Sequence, residues 1–297
     1  MAVFQVFQAT AARKEDVLDM LTQETPEDTP FLTRLGVSKA NSPVHSWLTD
    51  NIASSTATGG AEVEGASAVS RTLSDRTRKT NYTQISDEVV EVSGTAEATS
   101  MYGIETEYAY RISQGMKRLK IMMDQILLIS TSASGDSAAA RTMTGLLDAL
   151  QTNVSTGSAT VCTLTQSSFD GLLQTIAEAG GNPDTVFCGG FNKRRISSFA
   201  TSNIRYQEVG SEGRIRNFVS VYESDFGTLE IFFERYISKP NIAVLEMSKF
   251  RIAYLRRPFM QPLSVIGDSR RAQILAEYTL EALNEKSSGK LSAWATS

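Results

Sequence analysis

MYGIETEYAYRISQGMKRLKIMMDQILLIST, residues 101–131, decides how the rest of the chain is read. It holds no proline, and Ile104, Tyr108, Ile112, Met116, Leu119, Met123 and Ile126 recur three or four positions apart. That spacing places them on one side of a cylinder with about 3.6 residues per turn, and predicts a single helix roughly 40 Å long. Glu105 and Glu107 come early while Arg111, Lys117, Arg118 and Lys120 come later, the order that a helix dipole favours. Gly103 and Gly115 each cost about 1 kcal/mol relative to alanine. Gly103 is therefore expected to mark the start, and Gly115 a close approach by another backbone. The apolar side has to be covered, so this helix is a structural spine and function is to be sought in what it supports.

Working outward toward the N-terminus, His45, Trp47 and Leu48 open a strand-like stretch. Residues 51–70 (NIASSTATGGAEVEGASAVS) have Ile52, Val63 and Val69 as their only large aliphatics and cannot enclose a core. Residues 71–92 (RTLSDRTRKTNYTQISDEVVEV) alternate and are rich in Thr, Val, Ile and Tyr, which predicts a strand ending at Ser93-Gly94. Two strand-like arms joined by a tip of small residues describe a long hairpin. A loop of more than about 15 residues without its own core is uncommon unless it is functional or disordered. One reading is a plain surface loop; the sharper one is a hairpin whose missing core comes from neighbouring molecules. Trp47, Glu62, Glu64, Arg71, Asp75, Arg76, Arg78 and Lys79 are then the candidate inter-subunit contacts. Their mixed signs fit salt bridging across a contact better than phosphate binding. An exposed pair is worth at most about 1 kcal/mol, so many repeated copies are needed.

Residues 1–40 read as an arm. KEDVLDMLTQ (14–23) allows a short helix, and Pro26 and Pro30 then favour extended or turning backbone. Phe31, Leu32 and Leu35 are apolar anchors in a polar strip, expected to lie on another surface rather than in a core of the arm's own.

After the spine, residues 132–140 form a Ser/Ala/Gly breaker, and a second domain is expected from Gln151. Residues 166–180 read as a capped amphipathic helix, 185–188 (TVFC) as a short buried strand and 191–200 as another helix, together an α/β layer. Gly189-Gly190 followed by Asn192, Lys193, Arg194 and Arg195 matches neither the Walker nor the dinucleotide spacing, so it reads as a turn into a helix with a basic face. GSEG (210–213) reads as a flexible loop. Residues 217–237 give two strands around Asp225-Phe226-Gly227, and 242–254 a further pair. Ile274, Ala276, Tyr278 and Leu280 alternate with Leu275, Glu277, Thr279 and Glu281, a strand with two distinct faces. These strands are expected to form the sheet that covers the spine. The tail, 287–297, is expected to turn at Gly289 and expose Trp294.

Composition narrows the chemistry. The 297 residues are 41% hydrophobic and 21% charged, with a net charge of −4, values of a globular protein without an overall basic footprint for nucleic acid. No apolar run is long enough to span a bilayer, and the N-terminus has no export signal, so neither a membrane partner nor export is expected. Cys162 and Cys188 form no CxxC pair, and His45 is the only histidine. A two-histidine metal site is thereby excluded, and a Ser-His-Asp or Cys-His centre has only His45 to use. No catalytic, metal or cofactor site is expected.

The order arm, long hairpin, spine helix, small α/β domain and returning strands resembles the Hong Kong phage capsid fold, the Johnson fold of tailed-phage major capsid proteins. DTPFL (28–32), HSWLTD (45–50), NYTQIS…VSGT (81–95), YESDFG (222–227) and GDSRRAQILAEYTLEALNE (267–285) together resemble one phage major capsid family within it. The resemblance implies an α+β chain with an N-arm over 1–40, an E-loop hairpin over 41–98, a P-domain with the spine over 99–150, an α/β A-domain over 151–231, and P-domain return strands and tail over 232–297. It implies assembly into hexamers and pentamers of an icosahedral shell around double-stranded DNA, which the shell interior contacts non-specifically. Scaffold, decoration and portal proteins are the further partners it implies. The expected location is the virion, assembled in the host cytoplasm. Lys79 stands in the E-loop, but no motif marks the carboxylate and asparagine of a covalent cross-link. Three alternatives remain open: an encapsulin-like compartment shell, a hydrolase using His45, and a nucleic-acid binder using Lys193 to Arg195 or Arg76 to Lys79.

Overall fold

The computed structural model describes residues 28–50, 64–65, 67, 75–99, 104–157, 164–201 and 221–292. Pro30 opens a short helix, α1 (Pro30–Arg34), instead of the extended backbone expected here. At the first helical position its missing N–H is no loss and its fixed φ suits the turn. Phe31 and Leu35 are buried in the chain's own core, Phe31 edge-on to Phe187 with centroids 5.4 Å apart. The anchors thus lie on a surface outside the arm, as expected, and that surface is the body of the same chain, where burying a phenylalanine ring is worth about 2–3 kcal/mol. The helix expected over 14–23 lies outside the described residues, as do the loop at 210–213, Cys162 and Trp294.

Four strands follow: β1 (Gly36–Lys39), β2 (Val44–Thr49), β3 (Thr77–Tyr82) and β4 (Gln84–Ser93). The single strand expected to run to Ser93 is divided at Thr83. β3 pairs antiparallel with β2, whereas β4 joins the main sheet. The break is satisfied on both sides: the Thr83 N–H donates to the Pro43 carbonyl at 2.9 Å, and the Thr83 carbonyl accepts from Arg141 Nε at 2.5 Å. β4 ends where expected, because the Ser93 hydroxyl caps α2 (Gly94–Ala98) by accepting from the Ala96 N–H.

The spine is α3 (Glu107–Ile129), shorter than the expected span, with Ile104 ahead of its first turn. Tyr108, Leu119 and Met123 are buried, and Ile112 and Ile126 pack partly buried against the same core. Met116 does not follow the expected stripe and is 49% exposed. The buried line runs instead through Gly115, Leu127 and Leu128. A Cβ at Gly115 would stand 2.9 Å from both Ile274 Cδ1 and Val90 Cγ2. The close approach is thus to side chains of the sheet, not to a backbone. Where the spine stops, the Gly145 N–H donates to the Ser130 carbonyl at 2.7 Å, and here two backbones do nearly touch.

Beyond it come α4 (Leu146–Ala149), β5 (Val154–Thr156), α5 (Gln166–Glu178), β6 (Thr185–Cys188), α6 (Gly190–Thr201), β7 (Val221–Ser224) and β8 (Gly227–Phe233). The chain closes with β9 (Ile242–Leu245), β10 (Phe250–Pro262), β11 (Ser269–Ala282) and β12 (Gly289–Ser292), a strand where the tail was expected to turn. A four-stranded sheet in the order β1-β10-β11-β4 covers the spine. A six-stranded sheet in the order β5-β12-β9-β6-β8-β7 forms a second layer.

Of the strands expected to cover the spine, β7, β8 and β9 belong to this second sheet. Their neighbour β6 explains why. TVFC, apolar after Thr185, and IAVL are buried along their whole length, as strands covered on both faces are. Phe187, Ala243 and Leu245 face the spine's core, while Val186, Cys188, Ile242 and Val244 pack with Phe169, Leu172, Leu173 and Ile176 of α5. Alternation marks β11 instead: Ile274, Ala276, Tyr278 and Leu280 sit in the spine's core as expected. The opposite face is covered too, since Glu277 and Glu281 are only 5% and 8% exposed.

Candidate functional site

β2 and β3 form a two-stranded sheet of their own, in register from Val44 opposite Tyr82 to Thr49 opposite Thr77. Val44 and Leu48 on it are 43% and 63% exposed. Pairing brings several of the expected contact residues together: Trp47 lies opposite Lys79 and Leu48 opposite Arg78. Arg78 donates to the Ser46 hydroxyl at 3.0 Å, Arg76 Nε is 3.7 Å from Asp50 Oδ2, and Asp75 accepts from the Arg76 N–H at 2.8 Å. Arg76 and Asp50 are both well exposed, so their attraction holds the strand ends only weakly. Glu64 is exposed at a turn beside Gly65, and Glu62 and Arg71 lie outside the described residues.

The root of the hairpin is a polar junction that sequence reading misses. Asn81 spends all of its side-chain capacity there. Its Nδ2 donates to the carbonyls of Leu280 and Thr144 at 2.8 and 3.1 Å, and its Oδ1 accepts from the N–H groups of Thr144 and Tyr82 at 2.8 and 2.9 Å. Next to it, the buried Glu277 carboxylate accepts from Thr83 Oγ1 at 2.9 Å and from Arg141 at 2.8 Å on one oxygen, and from Arg256 Nε at 2.8 Å on the other. A bulge in β10 makes the second arginine available. Tyr254 pairs with Tyr278, but the next partner, opposite Glu277, is Arg256 rather than Leu255. The extra residue re-aims the strand. The sequence signal for this site is a glutamate on an otherwise covered strand face, yet its partners are remote in the chain.

Between hairpin and body lies a groove of about 290 Å³, lined by Trp47, Lys79, Asn81, Leu280, Glu285 and Lys286 among others. The Trp47 indole N–H is shielded from water and has no acceptor among the described residues. His45 tilts against Trp47, with centroids 5.8 Å apart, and its Nε2 is 3.8 Å from Glu281 Oε2. Ser38 donates its hydroxyl to that same Glu281 oxygen at 2.7 Å. The serine is thus bound to the acid and not to the imidazole, the reverse of what a Ser-His-acid relay needs.

The basic helix start behaves as a structural feature. Lys193 Nζ donates to the Ile231 carbonyl at 3.2 Å, Asn192 to the Lys239 carbonyl at 2.9 Å, and Arg195 lies over the Phe191 ring. Burial pushes the Cys188 thiol up to about 12. No group of three His, Cys, Asp or Glu residues is placed to hold a metal among the described residues.

Comparison with known proteins places this arrangement. Residues 3–295 match the family described as SU10 major capsid protein. The "Major capsid protein" of Escherichia phage Phieco32 is 38% identical over 104 residues, a stretch covering 35% of this chain and only 29% of that relative's length. Among solved structures, the capsid asymmetric unit of cyanophage A-1(L) superposes with a TM-score of 0.72 at 12% identity, covering 98% of this chain and 99% of the other. The holo-SrpI encapsulin of Synechococcus elongatus PCC 7942 superposes with a TM-score of 0.62 at 11% identity, covering 100% and 98%. At such identities the superpositions speak for the fold, and the fold is that of the Hong Kong phage capsid.

Proposed function

The chain belongs to the SU10 major capsid protein family, and on that premise we propose that it closes into an icosahedral shell by making hexamers and pentamers, with the β2–β3 hairpin reaching across to the next copy. It is a phage major capsid protein, a component of the virion; the geometry of its assembly is the proposal. In the family's terms, residues 1–40 serve as N-arm, 41–98 as E-loop, 99–150 as spine-bearing P-domain, 151–231 as A-domain and 232–297 as return strands and tail. Trp47, Glu62, Glu64, Arg71, Asp75, Arg76, Arg78 and Lys79 are proposed to meet the neighbouring copy. The role is structural rather than catalytic.

One observation carries this reading: β2 and β3 pair only with each other among the described strands, while both sheets of the body are fastened to cores of their own. An isolated two-stranded hairpin is marginal in water. Contacts of the same kind repeated around a rotation axis close into rings, so each hairpin gains support by lying on the next subunit. The shell is proposed to assemble in the host cytoplasm around double-stranded DNA contacted without sequence preference, with scaffold, decoration and portal proteins as further partners.

Electron microscopy of the purified, concentrated chain tests this. Closed shells or six-membered rings are expected, and a chain that stays monomeric across salt and pH overturns the proposal. Replacing residues 50–76 by a short turn is expected to abolish assembly while leaving both sheets folded. Nucleic acid inside particles from infected cells separates a phage shell from an encapsulin-like compartment, which would hold protein cargo instead.

A further inference from the structure

Two carboxyl groups far from the hairpin have no part in that reading. Asp124 of α3 and Glu234, the residue after β8, are both fully buried and lie beside each other where the spine, the second sheet and α1 meet. Asp124 Oδ1 accepts from the Leu32 N–H at 2.8 Å. Glu234 Oε1 accepts from the Tyr236 N–H at 3.2 Å, and its carboxyl also takes the Phe31 N–H. Both acids thereby hold the backbone of α1. One oxygen on each, Asp124 Oδ2 and Glu234 Oε2, is sealed from water without a donor among the described residues.

The charged groups around the pair do not neutralise it. Lys120 faces Asp124 from one turn earlier on α3 and acts at a distance. Arg235 and Tyr236 flank Glu234 on the segment after β8, and Asp28 faces the site from before α1. Arg34 of α1 is turned to the Phe232 ring, 3.3 Å from its centre. A bound metal ion is a poorer account than a proton, since no third acidic, histidine or cysteine ligand joins the two carboxyls among the described residues. Burial raises the pKa of both acids, and the charge of Asp124 raises that of Glu234 further.

We infer that Asp124 and Glu234 share one proton between their two leftover oxygens and so form a proton-held latch that fastens residues 28–35 between the spine and the six-stranded sheet. Removing that proton leaves two negative charges side by side in a dry pocket, and the segment then parts from the body so that water can reach them. The sign follows from the direction of the shifts. The closed pair binds protons more tightly than the open one, so the latch is whole below about pH 4.5, weakens as pH rises from there to about 7, the value to which Glu234 is pushed up, and changes no further above it. Residues 28–35 lead from the N-terminal arm into β1, so raising the pH through that window loosens the base of the arm while the rest of the body stays folded.

Hydrogen exchange of peptides covering residues 28–35 in the full chain, from pH 4 to pH 9 and corrected for intrinsic exchange, reads the latch directly. The wild-type opening constant is expected to rise by up to about tenfold per pH unit between pH 4.5 and pH 7 and to level off above. In Glu234→Gln, which keeps a donor beside Asp124 but has no proton to lose, the profile is expected to be flat. A flat wild-type profile, or a slope that the variant retains, overturns the latch; a retained slope assigns the titration to another group, such as Asp124 alone. Should the variant fail to fold, isotope-edited infrared spectra of the wild type decide the matter. The carbonyl band of a protonated, shielded carboxylic acid is expected at pH 6 and gone by pH 9, and its absence at pH 6 overturns the inference.

Discussion

Asn81 holds Leu280 by a 2.8 Å hydrogen bond from its Nδ2 to the carbonyl, so the hairpin is tied to the longest strand of the spine's sheet through one side chain. The same amide serves both the N–H and the carbonyl of Thr144. Asn81→Ala leaves several buried backbone groups unpaired at once, each worth about 1–3 kcal/mol. A loss of about 3 kcal/mol or more in urea unfolding is expected, with faster hydrogen exchange concentrated in residues 77–83. Loss of stability spread evenly over the body would show that Asn81 is not the tie.

Glu277 poses a different risk, because it is the only acid bonded to both Arg141 and Arg256 among the described residues. Removing one member of a fully buried ion cluster typically costs about 3–5 kcal/mol, but the Arg141 and Arg256 side chains are 27% and 44% exposed, so water compensates much of the charge left behind. Glu277→Ala is expected to lower stability by about 1–3 kcal/mol, the lost hydrogen bonds included. The triple change with Arg141→Met and Arg256→Met is expected to recover much of it, since the orphaned charges go as well. Equal instability of the single and triple variants would refute the cluster.

Two glycines separate two kinds of crowding. At Gly115 the atoms in the way are methyl ends of Ile274 and Val90, which can rotate aside. At Gly145 they are the backbone N and O of Ser130, 2.7 and 2.9 Å from where a Cβ would stand, which cannot. Gly115→Ala gains about 1 kcal/mol of helix propensity against its crowding and is expected to be close to neutral. Gly145→Ala is expected to cost about 2–3 kcal/mol as overpacking. Thermal unfolding of the two variants side by side measures the difference, and the reverse ranking would contradict the spine's placement.

The spine is legible in the sequence because helical period is written in neighbouring residues. Which line of it is buried is not, because Met116 and Gly115 trade places only when Ile274 and Val90 press against the helix. The division of the hairpin arm at Thr83 is hidden for the same reason. Both halves alternate alike, and what separates them is bonding to Arg141, 58 residues away, and Glu277, 194 residues away. The bulge that sets Arg256 opposite Glu277 breaks the alternation that sequence reading relies on. The strands of the second sheet are visible as apolar runs, but an apolar run does not say which sheet it enters.

Cys188 offers a check on the second core. Its thiol is buried beside α5, and its pKa is raised, so at pH 8 to 9 it holds almost no thiolate, the form that reacts. In a Cys162→Ser background, Cys188 is expected to resist thiol-reactive probes at pH 9 until the chain is unfolded by denaturant. Prompt labelling of the folded chain would place β6 at a surface.

Trp47 is where the subunit's own stability and its assembly part company. Its ring lines the groove beside the hairpin, and its indole N–H is dry and unpaired among the described residues. An unpaired buried donor costs roughly 1–3 kcal/mol, and replacing it by an apolar ring of similar shape removes that cost. Trp47→Phe is therefore expected to leave the isolated subunit as stable as before, or up to about 1 kcal/mol more so. If a neighbouring copy supplies the missing acceptor, the same change weakens assembly, raising the critical concentration for shells or rings several-fold in light scattering. Trp47→Ala removes the ring as well and is expected to block assembly. A Trp47→Phe subunit that assembles as readily as the wild type would mean that the indole has no partner across the contact, and would move the interface away from this groove.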